Sequence, residues 1–296
     1  MKAQENVLPI EATGRVPSRP DRRIGSILAE AGKLGAADIE RVLVLQRIEK
    51  RRFGETALRH GLITDEDLRA AVAKQYDLPH LLPGNESVSG ELVVAYEPLH
   101  PRAEEFRALR TQLMIRWSNA GVRHRMLAVV SPGSGEGRSY VTANLAVVFS
   151  QLGERTLLVD ADLRTPRQHR IFNVPEGGGL SAVLSGRADR DAVVPVSEFG
   201  TLSLLPAGPL PPNPQELLSR PAFAALLDEL SAEFDVVLFD TPPAKRYADA
   251  HNVAFRAGGV IMLARKDHAR LADTTGVIRE LSNTGVRVVG TVFNAF

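Results

Sequence analysis

MLAVVSPGSGEGRS, residues 126–139, is the stretch that decides the fold of this chain. A short apolar run leads into a glycine-rich loop, and the helix-like stretch SYVTANLAVVFSQL follows at residues 139–152. Glycines let backbone N–H groups point into such a loop, and a helix N-terminus adds partial positive charge. The order strand, loop and helix therefore predicts a phosphate-binding loop, with nucleotide contacts from Gly133, Ser134, Gly135, Glu136, Gly137, Arg138, Ser139 and Tyr140.

Two positions of this loop carry particular chemistry. Ser139 stands where a phosphate-binding loop supplies a hydroxyl to Mg²⁺. Arg138 stands where the usual motif has a lysine, and a guanidinium is larger and planar, whereas an ammonium is compact. We expect phosphate binding to survive this replacement, and we leave open whether the γ-phosphate is still aligned for catalysis.

Two further apolar runs end in carboxylates. Residues 157–164 read LLVDADLR and residues 236–243 read VVLFDTPP, which places Asp160, Asp162 and Asp240 at strand ends. In open α/β sheets the carboxyl ends of the strands bind ligands. We therefore expect Asp160 and Asp240 in the metal shell, and Asp160, Asp162 and Arg138 in catalysis, with one carboxylate of 160–162 accepting a proton from an attacking hydroxyl. The structural alternative is a solvated turn after one strand and a capping aspartate after the other.

The sheet itself is predicted from six near-continuous apolar runs separated by helical stretches. Strands buried on both faces of a parallel sheet have this pattern. The sequence therefore predicts an α/β domain with a doubly wound, mostly parallel sheet. The runs are MLAVV (126–130), TLLVD (156–160), LSLLP (202–206), DVVLFD (235–240), GVIMLA (259–264) and VRVVGTVF (286–293).

A tandem repeat precedes this domain. Seven pairs of like residues are 29 positions apart, which indicates a duplication. Thr64 caps the last predicted helix of the second copy. We expect a disordered arm at 1–20, a helical repeat domain at 21–82, a linker at 83–99 and the nucleotide domain at 100–296, with a helix over 104–117. The pairs are Arg23 and Arg52, Gly25 and Gly54, Gly32 and Gly61, Leu34 and Ile63, Ile39 and Leu68, Leu43 and Val72, and Gln46 and Gln75.

Composition excludes several classes of protein. The 296 residues contain no cysteine, so disulfides, zinc-thiolate sites and thiol nucleophiles are excluded, in keeping with a reducing cytosol. The formal net charge of +1 gives no general attraction to nucleic acid. No apolar run approaches the length that spans a bilayer, and we expect a cytoplasmic protein without direct membrane insertion.

The loop SPGSGEGRS, the run ending in DADLR and the run ending in DTPP together resemble the bacterial tyrosine kinases (BY-kinases). Within that family the chain looks most like the soluble exopolysaccharide chain-length-determinant kinases of EpsG type, over residues 88–296. Glu104, Arg107 and Arg110 are similar to the E-x-x-R-x-x-R helix through which family members assemble into rings. An ordinary solvated helix face is the alternative for these three residues.

The resemblance implies ATP-dependent phosphorylation of protein tyrosine, with ATP and Mg²⁺ as cofactors. It implies that Asp160 and Asp162 lie near Mg²⁺ and the substrate hydroxyl, and that Asp240 lies on the metal. It also implies a homo-oligomer and a membrane-embedded chain-length determinant protein as activator, which would hold the chain at the inner membrane. The last residues, GTVFNAF, contain no tyrosine, so we expect the acceptor tyrosine elsewhere, with Tyr76 and Tyr96 as candidates in this chain.

The repeat is similar to the N-terminal domain of type II secretion and pilus ATPases. In a subset of those proteins the tandem motif binds cyclic di-GMP. The arginines can stack on guanine or pair with phosphates, and the glycines can let a ligand approach the backbone. The resemblance implies a regulatory cyclic di-GMP site at Arg23, Gly25, Gln46, Arg52, Gly54 and Gln75, and the alternative is a docking or packing module.

Other functions remain as alternatives to an active kinase. Arg138 and the tyrosine-free last residues favour a nucleotide-binding pseudokinase or weak ATPase that passes its ATP and cyclic di-GMP state to the export machinery. A partitioning or septum-positioning ATPase of the ParA/MinD kind shares the fold, but those proteins have an extra lysine where Gly133 stands. A basic cluster at residues 164–170 is typical of a phosphate site, of a site for an acidic partner, or of a solvated loop, and the sequence does not choose among them.

Overall fold

Each apolar run predicted as a strand forms a strand of one seven-stranded sheet in a computed structural model of the chain, which describes residues 23–75, 81, 85–120 and 125–295. A short edge strand, β3, joins the six predicted ones. The strands are β1 (Arg125–Val130), β2 (Thr156–Asp160), β3 (Val194–Pro195), β4 (Leu202–Leu205), β5 (Val236–Asp240), β6 (Gly259–Arg265) and β7 (Arg287–Asn294).

The strand order is β3-β4-β2-β5-β1-β6-β7, and β3 runs antiparallel to β4 while the other described pairs are parallel. The predicted doubly wound, mostly parallel α/β fold is thereby confirmed. β5 lies between β1 and β2, so the glycine-rich loop after β1 is next to the carboxylates that end β5 and β2. The register pairs Asp160 directly with Asp240.

Helices cover both faces of the sheet. Within β1, Leu127 and Val129 belong to one buried cluster and Ala128 and Val130 to the other, as the two-residue period of a strand requires. The helices that follow the repeat are α5 (Val93–Tyr96), α6 (Pro101–Ala120), α7 (Arg138–Ser150), α8 (Gln168–Ile171), α9 (Leu180–Leu184), α10 (Pro214–Ser219), α11 (Pro221–Glu233), α12 (Asp249–Ala257) and α13 (Leu271–Asn283).

The segment predicted as a linker at 83–99 is instead part of the nucleotide unit wherever the structure describes it. Leu92, Val94 and Ala95 are fully buried against the sheet's helices. The side chain of Asn144 on α7 accepts a hydrogen bond from the Val94 N–H at 3.3 Å and donates one to the Glu91 carbonyl at 3.0 Å. The turn-rich sequence before residue 88 suggested a spacer, but the apolar residues that follow pack into the core.

The chain divides into two compact units, residues 1–77 and 78–296. In the first unit four helices, α1 (Ile24–Glu30), α2 (Ala36–Glu49), α3 (Phe53–Arg59) and α4 (Asp65–Gln75), enclose a small core. The predicted arm at 1–20 and Tyr76 lie outside the described residues. The unit is built from two copies of one helix pair, as the 29-residue offset predicts.

Equivalent backbone contacts repeat at that offset. The Gly35 N–H donates to Asp38 Oδ2 at 3.1 Å, and the Thr64 N–H donates to Asp67 Oδ2 at 3.0 Å. Thr64 Oγ1 in turn accepts the Asp67 N–H at 3.1 Å, which confirms Thr64 as the cap of α4. The turns between paired helices contain Gly32 (φ +68°) in the first copy and its equivalent in the second, in left-handed conformations that favour glycine.

Candidate nucleotide-binding site

The glycine-rich loop forms a cradle at the N-terminus of α7. Gly135 and Gly137 have φ angles of +70° and +95°, which other residues rarely adopt, and Gly137 directly precedes the helix. The loop borders a cavity of about 460 Å³ that is also lined by Ser139, Tyr140 and Asp162. Backbone N–H groups at a helix N-terminus bind phosphate, so the cavity suits a nucleotide tail.

Three side chains that the sequence analysis did not single out hold this loop from outside. Arg265 donates to the Gly135 carbonyl at 2.8 Å, and His268 lies 3.1 Å from the Ser134 carbonyl. Asn294 donates to the Glu136 carbonyl at 2.9 Å. Arg265 and Asn294 end β6, which pairs with β1, and β7, which pairs with β6. The rule that ligands bind at carboxyl strand ends, applied to these strands as well, would have found them.

Glu136 turns its carboxylate back into the loop. Its Oε1 accepts the Gly133 N–H at 3.2 Å, and the side chain is buried. Of the residues predicted to contact nucleotide, Glu136 therefore stabilises the loop's own conformation with its side chain. Its carboxylate also contributes negative charge beside Arg138.

Arg138 points its guanidinium into the protein. The side chain is buried, with Nε donating to the Thr241 carbonyl at 2.7 Å and Nη1 donating to the Gly133 carbonyl at 2.5 Å and to Ser131 Oγ. Burial lowers the pKa of this guanidinium, and nearby carboxylates, Asp240 first among them, oppose that shift. The predicted catalytic Arg138 thus ties the glycine-rich loop to the loop after β5 through its Nε and Nη1 atoms, and it also lines the nucleotide cavity.

Asp240 lies beneath the first turn of α7. It is fully buried, its carboxylate accepts a hydrogen bond from the Ser139 hydroxyl, and its Oδ2 accepts one from Gln168 at 2.8 Å. Its Oδ1 is buried and has no hydrogen-bond partner among the described residues. Burial raises the pKa of Asp240 to about 6, although the Ser139 and Gln168 hydrogen bonds and the charge of Arg138 oppose this.

A buried carboxylate oxygen that accepts no hydrogen bond is energetically unfavourable unless a cation binds to it. A hydroxyl and a carboxylate are oxygen ligands of the kind that Mg²⁺ prefers. Ser139 and Asp240 therefore fit the predicted metal site.

Gln168 is a second residue that the sequence analysis missed. It is fully buried, and its Nε2 donates both to the Ser139 carbonyl at 3.1 Å and to Asp240 Oδ2. Its Oε1 is also buried without a hydrogen-bond partner within the described part of the chain. Gln168 thus joins three strand ends of the site. An amide within the basic stretch RTPRQHR was the only signal in the sequence.

Asp160 has a carboxylate that accepts hydrogen bonds from backbone amides. Oδ2 accepts the N–H groups of Arg167 and Gln168 at 3.0 and 2.9 Å, and Oδ1 accepts the Asp162 N–H at 3.3 Å. Burial, followed by the charge of Asp240, raises the pKa of Asp160 well above its usual value. Asp160 thus anchors the loop after β2, and its predicted roles as metal ligand and catalytic group stay predictions.

Asp162 is the carboxylate of this loop that lines the nucleotide cavity. Its Oδ1 accepts the N–H groups of Arg164 and Thr165 at 3.1 and 2.9 Å, and its Oδ2 accepts the Thr165 hydroxyl at 3.0 Å. These contacts fix the orientation of the carboxylate at the cavity wall. Asp162 therefore has the position expected of a group that accepts a substrate proton.

Tyr140 lies next to Ser139 and also lines the cavity. Its ring packs edge-on against Phe106 with 5.8 Å between centroids, and its hydroxyl interacts with Arg102. Burial raises the pKa of Tyr140. The packing holds the side chain between α6 and α7, where it forms one wall of the site.

The three residues predicted to mediate assembly lie on α6 with different exposure. Arg107 pairs with Glu104 at 3.1 Å and donates to the Pro98 carbonyl at 2.6 Å. Arg110 donates to the Val148 carbonyl on α7 at 2.7 Å. Glu104 is 75% exposed. The arginines thus have partners within the chain, and Glu104 is the member most open to another subunit.

The predicted cyclic di-GMP residues divide into two groups. Arg23 and Arg52 are exposed and directly precede α1 and α3, and Gln46 and Gln75 are half-buried on α2 and α4. The two glycines lie close to neighbouring side chains. A Cβ added to Gly25 would lie 3.1 Å from the Phe53 ring, and one added to Gly54 would lie 2.3 Å from Leu68 Cδ1. Both glycines thus allow close packing against neighbouring side chains, and their contact with cyclic di-GMP stays a prediction.

Within the described part of the chain, none of the helices combines the length and apolarity needed to cross a bilayer.

Comparisons with known proteins agree with this geometry. The ParA family, described as NUBPL iron-transfer P-loop NTPase, matches residues 122–295. The tyrosine-protein kinase YwqD of Bacillus subtilis is 33% identical over 69% of this chain and 85% of its own length. EpsB of Ralstonia nicotianae is 37% identical over 67% of this chain, but the chain spans only 26% of that relative's length.

Solved structures show the same similarity. The chimerical protein CapA2B2 is 33% identical and has a TM-score of 0.64, over 76% of this chain and 98% of its own. The septum site-determining protein MinD of Pyrococcus horikoshii, complexed with Mg-ADP, is 26% identical with a TM-score of 0.51, over 57% of this chain and 69% of its own. The chain therefore belongs to the bacterial tyrosine kinases, a family with the P-loop NTPase fold.

Proposed function

We propose that this chain is an ATP-dependent protein-tyrosine kinase that regulates the chain length or export of an exopolysaccharide. The observation that carries the proposal is the buried Oδ1 of Asp240, which has no hydrogen-bond partner among the described residues and belongs to the carboxylate that contacts the Ser139 hydroxyl at the N-terminus of α7. A kinase site needs a loop that binds phosphate and a carboxylate that can bind the metal ion, and both are present at this end of the sheet. Similarity to YwqD supports the tyrosine specificity.

Different residues of the site have different roles in phosphoryl transfer. The amides around Gly135 and Gly137 would orient the phosphates, and Ser139 and Asp240 would hold the metal ion that accompanies them. Bound Mg²⁺ supplies positive charge that stabilises the transferring phosphoryl group. The tyrosine oxygen bonds to the γ-phosphorus as the bond from that phosphorus to the bridging oxygen breaks and ADP leaves. Asp162 accepts the phenolic proton.

The test uses the full chain with ATP, Mg²⁺ and the cytoplasmic tail of its membrane partner, and measures phosphotyrosine by mass spectrometry. We expect phosphotyrosine with the wild type and none with Asp162→Asn, in which the base is absent and Mg-ATP affinity is retained. Absence of phosphotyrosine in the wild type, with Mg-ATP bound, would contradict the kinase proposal.

A nucleotide-binding pseudokinase or weak ATPase is the second candidate, and the orientation of Arg138 favours it. A lysine at this position would reach the phosphates as a mobile ammonium, whereas the guanidinium here is held by three oxygens. The variant Arg138→Lys separates the two candidates. If turnover rises about 100-fold while ATP affinity changes little, the arginine limits catalysis and the wild type is a weak enzyme. Equal turnover in both proteins favours the active kinase.

We further propose a membrane-embedded chain-length determinant protein as activator and a homo-oligomer as the working form, at the cytoplasmic face of the inner membrane. The similarity to the chimera CapA2B2 and the exposure of Glu104 support this. Light scattering with and without the partner's cytoplasmic tail measures the assembly. We expect Glu104→Lys to give smaller particles than the wild type, and Glu229→Lys, a charge reversal at an exposed position of α11, to leave the size unchanged.

Cyclic di-GMP is proposed as a regulatory ligand of the repeat unit. The exposed arginines at equivalent positions, Arg23 and Arg52, support it, because each can stack on a guanine or pair with a phosphate. Calorimetry with cyclic di-GMP tests binding, and ATP turnover with and without it tests regulation. We expect Arg52→Ala to weaken binding about tenfold and the exposed control Arg47→Ala to leave it unchanged. No heat of binding with the wild type would leave the repeat as a docking or packing module.

A further inference from the structure

A second cavity lies beside the nucleotide cavity, on the far side of the loop after β2. Its volume is about 750 Å³, and Thr165 and Arg167 line both cavities. Asp162 holds Thr165 through its N–H and hydroxyl groups, so the carboxylate lies at the boundary between the two spaces. A molecule in the second cavity would therefore contact Thr165, which the proposed proton acceptor holds in place.

The outer wall of this cavity is rigid. The Leu180 and Ser181 N–H groups donate to the carbonyls of Pro206 and Ala207 at 2.8 and 2.9 Å, and Ser181 Oγ donates to the Pro209 carbonyl at 2.6 Å. Gly179 lies so close to this segment that an added Cβ would be 2.4 Å from backbone atoms. The wall thus presents a fixed apolar surface, which ends in Leu210 with 67% of its side chain exposed.

The inner wall is basic. Arg164, Arg167, His169 and Arg170 line it, with Glu176 as the one acidic lining residue in the described part of the chain. Arg164 is fixed by a two-point ion pair with the buried Asp249, at 2.7 and 3.1 Å, and stacks on Tyr247.

Two other arginines of this wall are more available for binding a ligand. The Arg167–Glu91 pair is about half exposed, so water screens it and a ligand can compete for the arginine. Arg170 is exposed and makes no ion pair with any residue that the structure describes.

His169 adds a polar group inside the cavity. Its side chain is only 11% exposed, and its Nε2 is buried without a hydrogen-bond partner among described residues, 3.5 Å from Glu176 Oε1. A buried polar atom of this kind is normally satisfied by water or a ligand. The cavity therefore offers an apolar wall, a basic wall and an unsatisfied imidazole.

We propose that this cavity is the docking cleft for an acidic polypeptide segment, so that the chain selects acceptor tyrosines flanked by Asp or Glu. The inference rests on the proposed kinase function and adds a substrate class to it. The apolar wall suits the tyrosine ring, and Arg167 and Arg170 suit carboxylates on either side of it. Arg170 is the specificity-determining residue, because it is the arginine of this cleft that makes no ion pair with a described residue.

The test measures binding of two fluorescein-labelled heptapeptides to the full chain with a non-hydrolysable ATP analogue and Mg²⁺. One peptide has tyrosine flanked by three glutamates on each side, and the other has glutamines in their place. Fluorescence anisotropy gives both dissociation constants, and calorimetry gives the affinity for the ATP analogue. The variants are Arg170→Glu, Arg170→Lys and the control Arg279→Glu, which makes the same charge change on exposed α13.

We expect the wild type to bind the glutamate peptide about tenfold more tightly than the glutamine peptide, with the difference falling at high salt. Arg170→Glu should remove most of this preference, Arg170→Lys should keep it, and Arg279→Glu should match the wild type. Equal affinity of the wild type for both peptides, no binding of either, or equal effects of the two charge reversals would overturn the inference.

These outcomes are separable from failure of the kinase proposal. If the ATP analogue binds and both peptides are phosphorylated with equal kcat/KM, the kinase function stands and the acidic selectivity is wrong. If the glutamate peptide binds selectively but is never phosphorylated, with or without the membrane partner's tail, the kinase proposal is wrong, and the cleft is a docking site without phosphoryl transfer, contrary to its role in selecting acceptor tyrosines.

Discussion

The repeat unit and the nucleotide site each contain a carboxylate that accepts hydrogen bonds from neighbouring groups. The surroundings shift the pKa values of these two carboxylates in opposite directions. Asp67 of the repeat accepts hydrogen bonds from Lys33 and from both the N–H and the hydroxyl of Thr64, which lower its pKa to about 2. Asp240 is fully buried, and burial raises its pKa to about 6. The charge on Asp67 stabilises the fold, whereas the charge on Asp240 is unfavourable in the free protein and suits a bound cation.

The largest effect is expected from Asp240→Asn. The substitution removes a buried charge whose Oδ1 has no described partner, so we expect the affinity for Mg-ATP to fall by about 100-fold while the free energy of unfolding is unchanged or increased. Calorimetry with and without Mg²⁺ and urea denaturation measure the two effects. The control is Asp228→Asn on exposed α11. A loss of stability with normal Mg-ATP affinity would place Asp240 with Asp67 as a structural carboxylate.

Asp160→Asn tests the difference between the two buried carboxylates of the site, Asp160 and Asp240. Its carboxylate accepts three backbone N–H groups, and an asparagine would turn an NH₂ group toward at least one of them. We expect the free energy of unfolding to fall by about 2 kcal/mol, measured by urea denaturation without nucleotide. The opposite pattern, unchanged stability with lost Mg²⁺ dependence, would place Asp160 in the metal shell.

Asp67→Ala tests the other side of the comparison. The variant loses the capping contacts at the start of α4 and the ion pair with Lys33, so we expect that helix to lose about 1 kcal/mol of protection. Hydrogen exchange of α4 amides in the full chain measures it. Glu66→Ala, which removes a charge from the same helical turn, is the control and should cost less. Nucleotide affinity should be unaffected by either variant.

The smallest effect is a pH dependence of the repeat unit. Because the pKa of Asp67 is lower in the folded chain than its usual 3.8, its contribution to stability is present above about pH 4 and is lost as the pH falls through about 2. We expect the α4 protection of the wild type and of Asp67→Ala to differ at pH 5 and to converge near pH 2. A constant difference across this range would mean that the carboxylate contributes nothing through its charge.

The elements that were predictable from the sequence are those whose signal is local. Apolar runs became strands because each is buried on both faces, and the glycine-rich loop was recognisable because Gly135 and Gly137 need unusual backbone angles. Thr64 was recognisable as a cap because a capping residue and the acidic turn after it are neighbours in sequence.

The parts that were not predictable depend on contacts between distant segments. The sequence places Arg138 in the loop, but its direction follows from carbonyl groups, one of them on the loop after β5, more than 100 residues away. Gln168 matters only because folding brings three strand ends to one edge of the sheet. Asp160 and Asp162 look alike in sequence, and their different roles come from which amides surround each one.

The packing of residues 85–99 against α7 has a practical consequence for dissecting this protein. A fragment beginning at residue 100 would lose Leu92, Val94 and Ala95 from the core and would leave the side chains of Asn144 and Gln151 facing a bare apolar groove. Such a fragment would aggregate or bind detergent. A fragment that begins ahead of residue 85 keeps these buried residues. It is shorter than the full chain and is the better fragment to purify for nucleotide measurements.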